Sequence, residues 1–259
     1  MIKFNKLLFP VYAYKQYKEL WDHVYNLESV MDWVVNNPTY SASEKTGFNG
    51  QMHRKAIVND LLSSCSFQAI LETGTYTGDT TGYLSQVSNL PVYTCELNKW
   101  FYNIAQMRLK DFQDIHYIMG DSRQFLKKMA SHDLAGKNVF IYLDSHWYTD
   151  LPLKEELQII SEHWNEFVIM IDDFQVPDDP GYDYDYYTRK KSLRMKTFGK
   201  LFSSLNLSVF FPAASSEEET GYKRGCVVLA PLGKCTEKLM KINSLRKFDS
   251  SNGSSSNKP

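Results

Sequence analysis

The strongest constraint on this chain is the stretch from Phe67 to Thr81, which reads Phe-Gln-Ala-Ile-Leu-Glu-Thr-Gly-Thr-Tyr-Thr-Gly-Asp-Thr-Thr. Ala69, Ile70 and Leu71 form a short apolar run of the kind that becomes a strand buried on both faces. The run stops at Glu72-Thr73-Gly74-Thr75-Tyr76-Thr77-Gly78, and a helical pattern begins at about Thr80. A strand that ends in a glycine loop and then a helix start points to an α/β architecture. Gly74 and Gly78 let the backbone turn tightly and approach a ligand, and the free N–H groups of a helix N-terminus supply donors there. The order Glu-x-Gly-x-x-x-Gly differs from the Gly-x-Gly-x-x-Gly of nicotinamide-binding chains.

The same unit recurs downstream. Val92 to Glu96 reads as a second strand that ends in an acid, placed to accept hydrogen bonds from the two ribose hydroxyls of a nucleoside. A helix is expected from Asn98 to Leu109, a third strand over His116 to Met119, then Gly120-Asp121-Ser122 and a helix to about Met129. Asp121 and Ser122 fall at the adenine edge of such a site. Val139 to Leu143 is a further strand and ends in Asp144-Ser145-His146-Trp147, and Phe167 to Ile171 is another and ends in Asp172-Asp173. Adjacent parallel strands finish on one edge of a sheet, so Asp144, Asp172 and Asp173 are expected to converge beside the cofactor crevice. Three converging carboxylates repel unless a cation joins them, and oxygen ligands suit a hard divalent ion such as Mg²⁺.

Taken together, Leu-Glu-Thr-Gly-Thr-Tyr-Thr-Gly, Cys-Glu-Leu-Asn, Gly-Asp-Ser, Leu-Asp-Ser-His-Trp and Ile-Asp-Asp-Phe resemble the class I S-adenosylmethionine-dependent, metal-dependent small-molecule O-methyltransferases over roughly residues 50 to 231. The wording is similar both to the catechol O-methyltransferases and to the macrocin O-methyltransferase and cephalosporin-hydroxylase-like branch. The resemblance implies a Rossmann-like, seven-stranded, mostly parallel sheet with a reversed last strand. It implies S-adenosylmethionine at Glu72, Gly74, Tyr76, Gly78, Thr80, Glu96, Asp121 and Ser122, and a divalent cation at Asp144, Asp172 and Asp173. The catechol enzymes carry a lysine base after their His-Trp pair, whereas this chain has Tyr148 there and an extra Ser145 before the histidine. His146 is then the expected general base, with a place in the adenine wall as the alternative. Two rival functions stay open: a hydroxylase-like or other activity on the same cofactor fold, and a binding module without chemistry.

Lys and Arg number 29 against 30 Asp and Glu, a net charge of −1, so no basic field gathers nucleic acid or an anionic membrane. A small-molecule hydroxyl acceptor is the expected partner. Asp and Tyr alternate between Pro177 and Tyr187, after a strand end on the same edge, in a manner suited to a polyhydroxylated or cationic substrate. Four widely spaced cysteines read as buried free thiols, and no long apolar run suggests a membrane span, so a soluble, cytoplasmic protein is expected. Residues 1–49 read as an N-terminal helical extension, whose apolar stripe from Leu20 to Val34 is expected to pack on the domain or on a second copy. Residues 50–235 read as the methyltransferase domain, 236–247 as a C-terminal helix and 248–259 as a disordered tail.

Overall fold

Runs such as Val-Phe-Ile-Tyr-Leu and Phe-Val-Ile-Met-Ile have no polar face to turn to water, so they are stable only in the middle of a sheet covered on both sides. The computed structural model describes residues 47–131, 134–146, 150–188 and 191–249 and places those runs at the centre. In chain order the described elements are α1 (Met52–Ser64), β1 (Ala69–Thr73), α2 (Asp79–Ser88), β2 (Val92–Glu96), α3 (Lys99–Arg108), β3 (Ile115–Met119), α4 (Ser122–Ala130), β4 (Val139–Leu143), α5 (Leu153–His163) and β5 (Phe167–Ile171). A hairpin of β6 (Tyr186–Thr188) and β7 (Lys191–Ser192) follows, then α6 (Met195–Ser204), β8 (Leu207–Pro212), β9 (Val227–Pro231), α7 (Lys234–Leu239) and β10 (Leu245–Lys247).

The main sheet has eight strands in the order β10-β8-β9-β5-β4-β1-β2-β3. The five strands from β3 to β5 are parallel, while β9 runs antiparallel to both β5 and β8. The reversed strand is therefore where the fold class requires it, and the sheet carries one strand more than the seven expected. That strand is β10, which pairs antiparallel with β8 and closes an edge that would otherwise expose unpaired backbone. The expected C-terminal helix over 236–247 is thus a short helix to Leu239 followed by a strand. Phe248, expected in the tail, donates its N–H to the Val209 carbonyl at 2.8 Å and packs on Phe211. A helix begins at Met195, after Lys191 and Ser192 have paired antiparallel with Tyr186 and Thr188.

The core on one side of the sheet joins Leu71, Ile141 and Ile169 to Phe125 and Leu126 of α4, Leu157 and Ile160 of α5, and Phe198 and Phe202 of α6. On the other side Phe48 lies edge-on to Tyr142. All four cysteines are buried and free, as the reading of the sequence has it. No helix among the described residues is long and apolar enough to cross a membrane. The apolar stripe of the N-terminal extension lies outside the described residues.

The start of α1 is tied to a loop far along the chain. The two carboxylate oxygens of Glu219 accept the His53 and Arg54 N–H groups at 3.0 and 3.2 Å, and Thr220 Oγ1 accepts that of Met52 at 2.9 Å. These are N–H groups that a helix leaves unpaired at its first turn, and here a remote acid satisfies them. The Gln51 side chain donates to the Arg224 carbonyl at 2.8 Å, which fixes residues 51–54 against the segment that enters β9.

Candidate active site

Strands β1 to β5 end on one edge of the sheet, and each contributes a polar group within a residue or two of its end. After β1 the chain turns through Gly74, at φ +89, and Gly78, at φ +86. The reason for glycine at 74 is close backbone packing: a Cβ there would lie 2.3 Å from the Asp144 carbonyl oxygen. At Gly78 a Cβ would lie 2.7 Å from Leu109 Cδ1. The glycine loop after β1 is therefore packed against the backbone of Asp144, the first of the acids after β4.

Glu96 sits at the tip of β2, half-buried. Its Oε2 accepts the Tyr76 N–H at 2.8 Å and its Oε1 the Asn98 N–H at 2.8 Å, so it ties the glycine loop to the start of α3. Burial raises its pKa, against the stabilising pull of those backbone donors. Tyr76 is exposed, and its ring is tilted against that of Phe101 with centroids 4.4 Å apart. The Thr80 hydroxyl accepts the Phe48 N–H at 3.2 Å. Asp121 caps α4 through the Arg123 N–H at 2.8 Å and also binds the Arg123 guanidinium, which reaches on to Asp150 at 2.8 Å. The Arg123 contact holds the Asp121 carboxyl below its ordinary value.

Two expected contact residues face inward. Glu72 is fully enclosed, and its Oε2 accepts the Thr81 and Thr94 hydroxyls at 2.5 and 2.7 Å. Burial pushes its carboxyl up to about 7, with the two hydroxyls working the other way. The Ser122 hydroxyl is directed to Glu156, a residue that reading the sequence passes over. Glu156 on α5 is buried and also accepts the Ser145 hydroxyl at 2.6 Å. A glutamate flanked by Leu153, Leu157 and Ile160 on an otherwise apolar stripe was the available signal.

The acids after β4 and β5 separate into two groups. Asp172 is buried, and its carboxylate is taken by the guanidinium of Arg54 and the hydroxyl of Tyr142. Arg54 is 1% exposed, and the surrounding acids keep it charged despite its burial. Asp144, His146 and Asp173 come together instead: one donor atom from each lies within 4.8 Å of the others. Asp173, at φ +53, gives one oxygen to Arg224 Nε at 2.5 Å. Arg224 also binds Asp183 at 2.9 Å and Asp185, and Asp185 accepts the Tyr187 hydroxyl, so the acidic and aromatic loop is clasped to the site. Tyr184 and Tyr186 lie edge-on at 6.4 Å on that loop.

His146 Nε2 stands 3.8 Å from Asp144 Oδ1 and 3.8 Å from Asp185 Oδ2, with no hydrogen-bond partner and its side chain 3% exposed. Burial holds the imidazole below its usual pKa, although Asp173 and Asp185 pull it upward. Burial, then the charges of Asp173 and Glu72, push the Asp144 carboxyl well above the ordinary range. Carboxylates that repel and an imidazole nitrogen left without a partner form a donor set that fits a divalent cation. Trp147 and Tyr148 lie outside the described residues. The polar run Phe48 to Arg54 at a loop-to-helix junction is a sequence sign that Arg54 could reach the site, although not that it would pair with Asp172, and nothing near Arg224 marks its arrival from a segment remote from β4.

β3-β2-β1-β4-β5 in parallel with a reversed strand beyond is a Rossmann-like α/β architecture of the kind found in methyltransferase folds. An O-methyltransferase from Bacillus cereus, solved with SAH, matches 79% of this chain and 90% of its own at a TM-score of 0.53 and 18% identity. The O-methyltransferase TomG from Streptomyces achromogenes, solved with SAM, matches 70% and 80% at a TM-score of 0.51 and 16% identity. At these identities the likeness is one of fold. No family model and no curated protein sequence matches the chain.

Proposed function

We propose that this chain is an S-adenosylmethionine-dependent O-methyltransferase acting on a hydroxyl of a small molecule, a sugar or another polyhydroxylated compound, with the help of a divalent cation. The observation that supports the reading is the close approach of Gly74 to the Asp144 backbone, with the glycine loop beside the acid cluster. S-adenosylmethionine, when bound, supplies an electrophilic methyl group that passes to the acceptor oxygen as the hydroxyl proton leaves. A divalent cation, when bound, lowers the pKa of an acceptor hydroxyl.

The remaining work falls to residues of the chain. Glu96, already oriented by the Tyr76 and Asn98 N–H groups, would accept hydrogen bonds from ribose hydroxyls. Tyr76, the Gly74–Gly78 turn and Thr80 would hold the methionine portion, and Asp121 the adenine side. Asp144 and Asp173 hold the cation side. Arg224 fixes the loop bearing Tyr184 and Tyr186, whose rings and the exposed Asp183 suit a hydroxyl-rich acceptor. His146 is either the acceptor of the hydroxyl proton or a cation ligand, and the position of its ring bears on that choice.

The test is incubation of the full chain with S-adenosylmethionine, a divalent cation and a panel of sugars and catechols. S-adenosylhomocysteine formed in proportion to a methylated product is the expected result. Cofactor binding without product from any acceptor would favour the binding-module reading.

A further inference from the structure

From the juxtaposition of Asp144, His146 and Asp173, with Asp172 held apart by Arg54 and Tyr142, we infer that His146 is a cation ligand and that the site selects a first-row transition ion such as Mn²⁺ over Mg²⁺. The inference rests on the cation-assisted reading above and departs from the three-carboxylate set expected from the sequence. Its first ground is exclusion. Asp172 is committed on both oxygens, and displacing it toward a cation would strand the guanidinium of Arg54, which is 1% exposed.

Its second ground is the ring nitrogen itself. A buried polar atom without a partner is costly, so Nε2 in this position calls for something that accepts its lone pair or receives its proton. The groups facing it are Asp144 and Asp185, each at 3.8 Å. Asp185 is occupied by Arg224 and Tyr187, whereas Asp144 carries no hydrogen bond to its carboxylate among the described residues. The 3.8 Å separation lies inside the limit of about 4.4 Å for two donors on one ion at bond lengths of about 2.2 Å, and a group held within 4.8 Å reaches that limit by a small side-chain adjustment. Asp173 offers one carboxylate oxygen to the group, and its Oδ1 accepts Arg224 Nε.

The choice of ion follows from donor chemistry. Imidazole nitrogen is a poor ligand for Mg²⁺ and a good one for first-row transition ions, and carboxylates suit Mn²⁺ as well as Mg²⁺. A ring enclosed to 3% exposure is also badly placed to exchange a proton with solvent after each turnover. A ligand has no such need.

The experiment uses the full chain loaded with Mn²⁺ in the absence of S-adenosylmethionine, with electron spin-echo spectroscopy to detect nitrogen coupled to the ion. Calorimetry with Mn²⁺ and with Mg²⁺ accompanies it. The expected results are a nitrogen coupling of imidazole type and Mn²⁺ affinity at least about tenfold above that for Mg²⁺. His146→Ala should remove the coupling and erase that preference while leaving Mg²⁺ affinity within about threefold. Mn²⁺ bound to the wild type without nitrogen coupling, or a preference unchanged by His146→Ala, would overturn the inference. If that variant is unfolded by circular dichroism, His146→Asn and the wild-type spectrum decide alone. Failure of both ions to bind at millimolar concentration removes the cation from the proposed function as well, and S-adenosylmethionine binding in the same calorimeter then tells whether the rest of that function stands.

Discussion

At the scale of single residues, the glycine loop owes its sequence to the protein as much as to any ligand. Gly74 was expected to admit a ligand, and the structure shows that the nearest obstruction to a side chain is the Asp144 backbone. Gly74→Ala combines an unfavourable φ with a clash against backbone that cannot move aside, and should cost about 2–4 kcal/mol in chemical denaturation. Gly78→Ala meets the end of a leucine side chain and should cost less; equal losses would mean that the Asp144 contact is not what constrains the loop. Glu72 offers a pH test. Its folded-state carboxyl titrates near 7, above the ordinary value, so between the two values the folded protein holds a proton that the unfolded chain releases. Its contribution to stability is therefore complete below the unfolded value and is lost as pH rises through 7, by about 3 kcal/mol at most. Glu72→Gln keeps an acceptor for Thr81 and Thr94 and does not ionise, so its thermal midpoint should gain on the wild type between pH 5 and pH 8. A gap that stays constant over that range would show that Glu72 ionises freely in the folded state.

At the scale of elements, α1 depends on a partner far away in sequence. Glu219→Ala strands the two N–H groups at the first turn of the helix and removes a negative charge from its N-terminus, for a loss of about 1–2 kcal/mol. Amide exchange at His53 and Arg54 should accelerate in that variant; unchanged exchange would show that solvent caps the turn equally well. This dependence illustrates what was legible. The strands from Ala69 to Ile171 and their acidic ends could be read because each is a local pattern, a short apolar run of three to five residues or, in β2, a β-prone run, that ends in a polar break. The short strand β10 was read as helix because Leu239, Ile242 and Leu245 fit a helical stripe as well as a turn and an edge strand. The parting of Asp172 from Asp173 was invisible for another reason. It is decided by Arg54, Tyr142 and Arg224, which meet these acids only once the sheet has formed, and no spacing near Asp172 records them.

At the scale of the whole molecule, the two halves of the site are built on different strands and meet where β1 pairs with β4. The glycine-loop side hangs on β1, β2 and β3, and the acidic side on β4 and β5. Across that seam the Asp144 N–H donates to the Thr73 carbonyl at 2.9 Å and Gly74 packs on the Asp144 backbone. Anything that fixes the Asp144 segment therefore also fixes the floor of the glycine loop. Burial and then the charges of Asp173 and Glu72 raise the Asp144 pKa. On the proposed reading a cation would offset that cost and hold the segment in the arrangement that the loop requires, so the second ligand to bind would meet a site already ordered. Mn²⁺ is accordingly expected to tighten S-adenosylmethionine binding by about fivefold or more, near 1 kcal/mol of coupling. Calorimetric titration of the cofactor into protein with and without Mn²⁺ measures the factor, and the reverse titration must return the same value because the coupling is reciprocal. Equal cofactor affinities in the two titrations would mean that the Gly74–Asp144 contact transmits nothing and that the two sides of the site bind independently.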